Sequence, residues 1–125
     1  MKSKIESKSA PAAIGPYSQA TDTGSTVYVS GMLGIDPATG ELKDGVEAQA
    51  EQALLNLEAV LKAAELTTVS VVKTTVFLTD MGAFGSVNAI YSKHFSAPYP
   101  ARSCVQVSAL PKGGLFEIEA IAVRG

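Results

Sequence analysis

The chain has no tryptophan, one cysteine and one histidine in 125 residues. A single cysteine excludes an internal disulfide, and one cysteine with one histidine cannot build a zinc site of the usual Cys/His kind. A reducing, intracellular setting is therefore expected. Aromatics make up only 6% of the chain and the formal net charge is −2. No basic stripe carries interleaved aromatics, so nucleic acid is not an expected partner, and a nuclease reading also lacks a metal cluster or paired histidines. No run approaches the ~20 apolar residues of a membrane span, and the first residues hold no apolar signal-peptide core. The expectation is a soluble, cytoplasmic chain with no membrane partner.

With 46% hydrophobic and 18% charged residues, the composition is that of a globular chain rather than a disordered one. No linker, repeat or low-complexity tract divides it, so residues 1–125 read as one domain. Lys2, Lys4 and Lys8, interrupted by Glu6, read as a solvated, frayed terminus. Val27–Leu33 reads as a strand that leads to a turn at Asp36-Pro37-Ala38-Thr39-Gly40. From Val46 to Ala64, apolar Val46, Ala50, Ala53, Leu54, Leu57, Val60, Leu61 and Ala64 recur at helical spacing. Glu47, Gln49, Glu51, Gln52, Glu58 and Lys62 fall off that stripe, and the glutamates read as a solvated face. Val69–Leu78 is rich in β-branched residues and reads as a strand. Asp80 is positioned to cap a second helix that lines up Phe84, Val87, Tyr91 and Phe95, with Asn88 at the border. These elements predict an α/β (α+β) fold: a mixed, mainly antiparallel sheet with two helices on one side. Two helices cannot cover both faces. Apolar residues on both alternating sets of the later strands predict that the open face meets another subunit.

The segment Pro100-Ala101-Arg102-Ser103-Cys104-Val105, with Glu117 fifteen positions after the arginine, carries the chemistry. Alternation sets Arg102 and Cys104 on one face of their strand, and Glu117 and Glu119 on one face of the last. An arginine fork grips a small carboxylate with two parallel hydrogen bonds, and a nearby carboxylate can take a proton from water. The competing reading is a structural Arg102–Glu117 ion pair.

The motifs resemble those of the reactive intermediate deaminase (Rid, or YjgF-like) family along the whole chain. They are Ala13-Ile14-Gly15-Pro16-Tyr17-Ser18-Gln19-Ala20, Val29-Ser30-Gly31, Asp36–Glu41, Val71–Leu78, Val87–Tyr91, the arginine segment and Glu117–Val123. The resemblance implies a chorismate-mutase-like fold assembled as a homotrimer, with sites between subunits. It implies hydrolysis of reactive enamines and imines, 2-aminoacrylate and 2-iminobutyrate, to 2-keto acids and ammonia. Arg102 would clamp the carboxylate, the backbone N–H of Cys104 would assist it, and Glu117 would activate water. Tyr17, Ser30, Gly31 and Asn88 match the remaining pocket positions. No cofactor is expected, and the ligands would be small 2-imino or 2-keto acids.

Each residue has a plainer reading beside this one. Tyr17 closes a turn and buries its ring, Ser30-Gly31 marks a bulge, Asn88 bonds locally, and Cys104 is an inert thiol. His94 is a helix-end residue near the dipole. Met32 and Gly34 depart from the glutamine and proline common in the family, the Ser96–Tyr99 connection is short, and Gly113-Gly114 adds flexibility before Glu117. A non-catalytic carboxylate-binding or chaperone-like protein is the alternative, with an RNA-directed endoribonuclease or translation inhibitor behind it.

Overall fold

The computed structural model describes residues 1–125 as a six-stranded sheet with two helices on one face. The strands are β1 (Ser3–Ile5), β2 (Ala20–Asp22), β3 (Thr26–Leu33), β4 (Val71–Leu78), β5 (Ala101–Gln106) and β6 (Phe116–Val123). The helices are α1 (Val46–Ala63) and α2 (Phe84–His94). Sheet order is β1-β2-β3-β6-β4-β5, and every pairing is antiparallel except β4 with β5, which α2 connects. The expected mixed, mainly antiparallel sheet and its two-helix layer are therefore present. No helix is long and apolar enough to cross a membrane.

The core lies between sheet and helices. Ala50, Ala53, Leu54, Leu57, Val60 and Leu61 of α1 are buried against Val27, Val76, Phe116 and Ile118. Fully burying one such leucine contributes roughly 1.5–3 kcal/mol, and truncating Leu54 or Leu57 to alanine costs about 2–5 kcal/mol once the cavity is counted.

Several local expectations change. Residues 3–5 are not frayed: they pair with β2, Lys4 opposite Thr21. The strand expected from Val69 starts at Val71, after a 3₁₀ turn over Thr68–Ser70. Asp80 caps a 3₁₀ turn, Met81–Ala83, by accepting from the Gly82 N–H, and α2 begins only at Phe84. Two polar residues of α1 face inward because they satisfy loop backbone that water cannot reach. Gln49, buried, accepts from the Leu115 N–H at 2.8 Å and donates to the Lys43 carbonyl at 3.0 Å. Asn56, also buried, donates to the carbonyls of Leu33 and Ile35 at 3.0 and 2.9 Å.

The solvated glutamate face is likewise only partly solvated. His94 is the last residue of α2, as expected, but it also has acidic partners: its Nδ1 lies 2.7 Å from Glu58 and its Nε2 3.0 Å from Glu51, which locks the end of α2 onto α1. Burial alone would lower the His94 pKa, but the hydrogen bonds and charges of Glu51 and Glu58 outweigh it and hold it raised.

Candidate active site

Cross-strand register fixes which side chains share a face. Thr74 of β4 lies opposite Arg102 of β5, and Val76 opposite Cys104. Thr74 and Val76 are buried, so Arg102 and Cys104 stand on the helix-covered face, at the open margin of edge strand β5. Glu117 lies opposite Phe77 of β4 and Leu33 of β3, on the other face. The two residues expected to meet are therefore apart: β4 separates their strands and the sheet separates their side chains. The structural Arg102–Glu117 ion pair does not form, and Arg102 takes part in none of the ion pairs of the chain.

Instead, Arg102 is held by α2. Its Nη1 donates to Asn88 Oδ1 at 2.7 Å, and its guanidinium carbon lies 4.8 Å from the Tyr91 ring centroid and 5.4 Å from that of Phe84. Asn88 stands one residue past Val87 and three before Tyr91, which puts its amide at the margin of the buried stripe, where β5 ends the sheet. The Tyr91 hydroxyl is 2.8 Å from Thr74 Oγ1. Burial pushes the Cys104 thiol up, with the Arg102 charge only partly opposing. A thiol shifted that way is protonated at neutral pH and a poor nucleophile.

The second group of predicted residues lines an open cleft of about 710 Å³ on the other side of the chain, where Tyr17, Ser30, Gly31 and Glu117 come together. Its construction follows from a bulge in β3: pairing with β6 shifts register between Val29 and Met32, which is where Ser30-Gly31 sits. There the Glu117 side chain lies across Gly31 so closely that a β-carbon would meet its Oε2 at 2.5 Å. A β-carbon fits there only if the Glu117 carboxyl end swings aside. Burial raises the Glu117 pKa above its ordinary value, and the neighbouring Glu119 charge raises it further. Ser30 Oγ donates to the Ser18 carbonyl at 2.6 Å, so its hydroxyl also fixes the loop that carries Tyr17. Tyr17 is 55% exposed, against the reading that it buries itself in a turn.

Sequence reasoning missed two residues here. Gln19, buried at 3% exposure, holds the cleft's N-terminal wall: its Oε1 accepts from the Ser7 N–H at 2.6 Å and its Nε2 donates to the Pro11 carbonyl at 2.7 Å. Lys112 lines the cleft from the turn before β6, with φ 60 in the left-handed region. The Pro111-Lys112-Gly113 turn signal was available for Lys112; Gln19 falls inside the Ala13–Ala20 motif, but nothing in the spacing marks its amide as buried. Met32 is buried at 4% and lines the cleft, so the departure at that position falls on the pocket wall. Gly34 packs against α1, where a β-carbon would come within 2.4 Å of the Gln49 backbone.

Known proteins share this arrangement from end to end. The model of the family described as Endoribonuclease L-PSP matches residues 7–124. A Bos taurus protein named 2-iminobutanoate/2-iminopropanoate deaminase is 53% identical over 122 residues, covering 97% of this chain and 89% of its own length. A Salmonella typhimurium protein of the same name is 50% identical over 127 residues, covering 99% of both. Among solved structures, RidA from the Antarctic bacterium Psychrobacter sp. superposes with a TM-score of 0.95 at 50% identity, and E. coli TdcF with bound serine with 0.93 at 45% identity. Each match covers 98% of this chain and 99% of the other. Since the family match runs from Ser7 to Arg124 and takes in both groups of site residues, the chain belongs to the Endoribonuclease L-PSP family, that of the Rid or YjgF-like proteins.

Proposed function

We propose that this protein is a 2-iminobutanoate/2-iminopropanoate deaminase, hydrolysing the C=N bond of small 2-imino acids to 2-keto acids and ammonia. The observation that carries the reading is Arg102: a half-buried guanidinium held by an amide and two ring faces, with no carboxylate partner. Such a cation is short of an anion, and its free N–H edge fits a small carboxylate in bidentate fashion. The relatives' names supply the same substrate class, and the serine bound in E. coli TdcF has the size and carboxylate of the proposed substrates.

In the mechanism, Arg102 fixes the substrate carboxylate, assisted by the backbone N–H of Cys104. The Glu117 carboxylate takes a proton from water as the oxygen attacks the imine carbon, giving a tetrahedral carbinolamine. Glu117 then returns the proton to nitrogen and, as the C–N bond breaks, carries the hydroxyl proton to that same nitrogen, so that the C=O bond of the keto acid forms and ammonia leaves. A carboxyl whose pKa is raised toward neutrality is better matched to both proton transfers than an ordinary glutamate. Tyr17 and Ser30 shape the wall opposite Glu117, and Asn88 orients Arg102.

Arg102 and Glu117 are on opposite faces of one chain, so this chemistry needs two chains. The reading is a homotrimer in which the arginine edge of one subunit closes the glutamate cleft of the next. The open sheet face supports association: Tyr28, Phe77, Val105, Ile121 and Val123 lie on it, and Tyr28 and Val105 are 49% and 43% exposed. The test supplies 2-iminobutyrate continuously from a threonine dehydratase and follows 2-ketobutyrate. Acceleration beyond spontaneous hydrolysis is expected; a rate equal to the uncatalysed one would leave a carboxylate-binding protein.

A further inference from the structure

Arg102 is immobilised without being neutralised. The groups it touches are Asn88 Oδ1, the Tyr91 ring and the Phe84 ring, and none of them carries a charge. An acidic neighbour would orient the guanidinium equally well but would occupy the N–H edge that a substrate carboxylate needs. An aromatic face avoids this conflict, because it attracts the cation through the ring quadrupole and leaves the in-plane N–H groups free.

We infer that Tyr91 is a positioning residue for Arg102, its ring face setting the plane in which the guanidinium presents the N–H groups that Asn88 does not use. The inference rests on the proposed carboxylate-binding role of Arg102. Tyr91 is itself fixed at both ends. The residue is 5% exposed, its ring stacks on Phe95 with centroids 4.5 Å apart, and its hydroxyl is 2.8 Å from the fully buried Thr74. Thr74 is the residue paired with Arg102 across β4 and β5. The hydroxyl therefore ties the ring to the strand position beside the arginine, and helix α2, strand β4 and strand β5 are joined at one point. Asn88, three residues earlier on α2, anchors one nitrogen, and the ring controls rotation about that anchor.

The two halves of the Tyr91 side chain make different predictions. Tyr91→Phe keeps the ring face and loses the bond to Thr74; Tyr91→Leu removes the face. The measurements are the affinity for 2-ketobutyrate by calorimetry, KM and kcat with 2-iminobutyrate, and the melting temperature, all on the assembled protein, with Arg102→Lys alongside. Tyr91→Phe should melt lower yet bind 2-ketobutyrate within twofold of the parent. Tyr91→Leu should bind on the order of fivefold more weakly, with KM rising more than kcat falls. If both variants lose stability but keep the parent affinity and KM, or if Tyr91→Phe binds as weakly as Tyr91→Leu, the positioning role is overturned while the Arg102 clamp stands. If Arg102→Lys keeps full affinity, the clamp fails and the inference with it. Should Tyr91→Leu not fold, Tyr91→Met, which fills more of the same space without a ring face, takes its place, with a rise in KM of about threefold expected and an unchanged KM overturning the inference.

Discussion

Alanine at Gly31 should separate activity from stability. A β-carbon there would lie 2.5 Å from Oε2, 2.7 Å from Cδ and 3.1 Å from Cγ of Glu117, against the 3.4 Å at which ordinary contact begins. The carboxyl end must retreat by about 1 Å, and a displacement of that size at a reacting group costs on the order of 10²-fold in rate. The fold should hardly register it. Gly31 is not in the left-handed region, so alanine fits its backbone, and the group that yields is the far end of a side chain facing an open cleft. The stability change should stay within about 0.5 kcal/mol. Gly34→Ala is the internal control. Its β-carbon would meet the Gln49 Cα and carbonyl oxygen at 2.4 Å, and helix backbone cannot swing aside, so a loss of roughly 1–3 kcal/mol is expected. Thermal melts and coupled imine-hydrolysis rates on both variants decide the matter. A Gly31→Ala protein with parent turnover would show that the Glu117 carboxylate position is irrelevant to catalysis; one as destabilised as Gly34→Ala would refute the steric reasoning.

Three further outcomes follow from the same geometry. Glu117→Gln should lose most turnover yet melt no lower than the parent at neutral pH. A carboxyl pKa raised in the folded state means that its ionised form is disfavoured there, a cost that grows as pH climbs above the ordinary glutamate value and that the amide lacks. The acid limb of the parent's kcat/KM profile should correspondingly sit above that ordinary value. Arg102→Lys should lower activity at least about tenfold, since the charge remains but the fork is lost, whereas Cys104→Ala should keep most of it because the backbone N–H is unchanged. An inactive, correctly assembled Cys104→Ala protein would contradict water activation. His94→Gln should destabilise most in mild acid: a raised histidine pKa adds stability below about 6.5, and this is lost as pH rises through the folded value. Parallel melting curves for parent and variant from pH 5.5 to 9 would refute the clamp between α1 and α2.

What the sequence disclosed followed the range of each signal. The α1 stripe from Val46 to Leu61 and the alternation in Phe116–Val123 are local patterns with one physical solution, and both elements formed as read. Strand β1 was hidden because Lys4 and Glu6 flank Ile5 without an alternating apolar set, and only pairing with β2 makes residues 3–5 extended. The partners of His94 lie 36 and 43 residues away, beyond any periodicity. Arg102 and Glu117 were each placed on a face of their own strand, but relative facing depends on the register of both with β4, which composition does not encode. The sequence therefore singled out the motif residues without dividing them, and their split into two groups on opposite faces follows from strand register.

If one subunit's Arg102 serves another subunit's Glu117, the two should complement across subunits, and mixing tests this directly. Arg102→Lys and Glu117→Gln proteins, each nearly inactive alone, are unfolded together in equal amounts, refolded and assayed for imine hydrolysis. In a ring of three, each site needs an intact arginine from one chain and an intact glutamate from its neighbour, so random mixing should restore about one quarter of parental activity. Mixed assemblies that form, as shown by mass spectrometry, but remain as inactive as either variant would contradict the account.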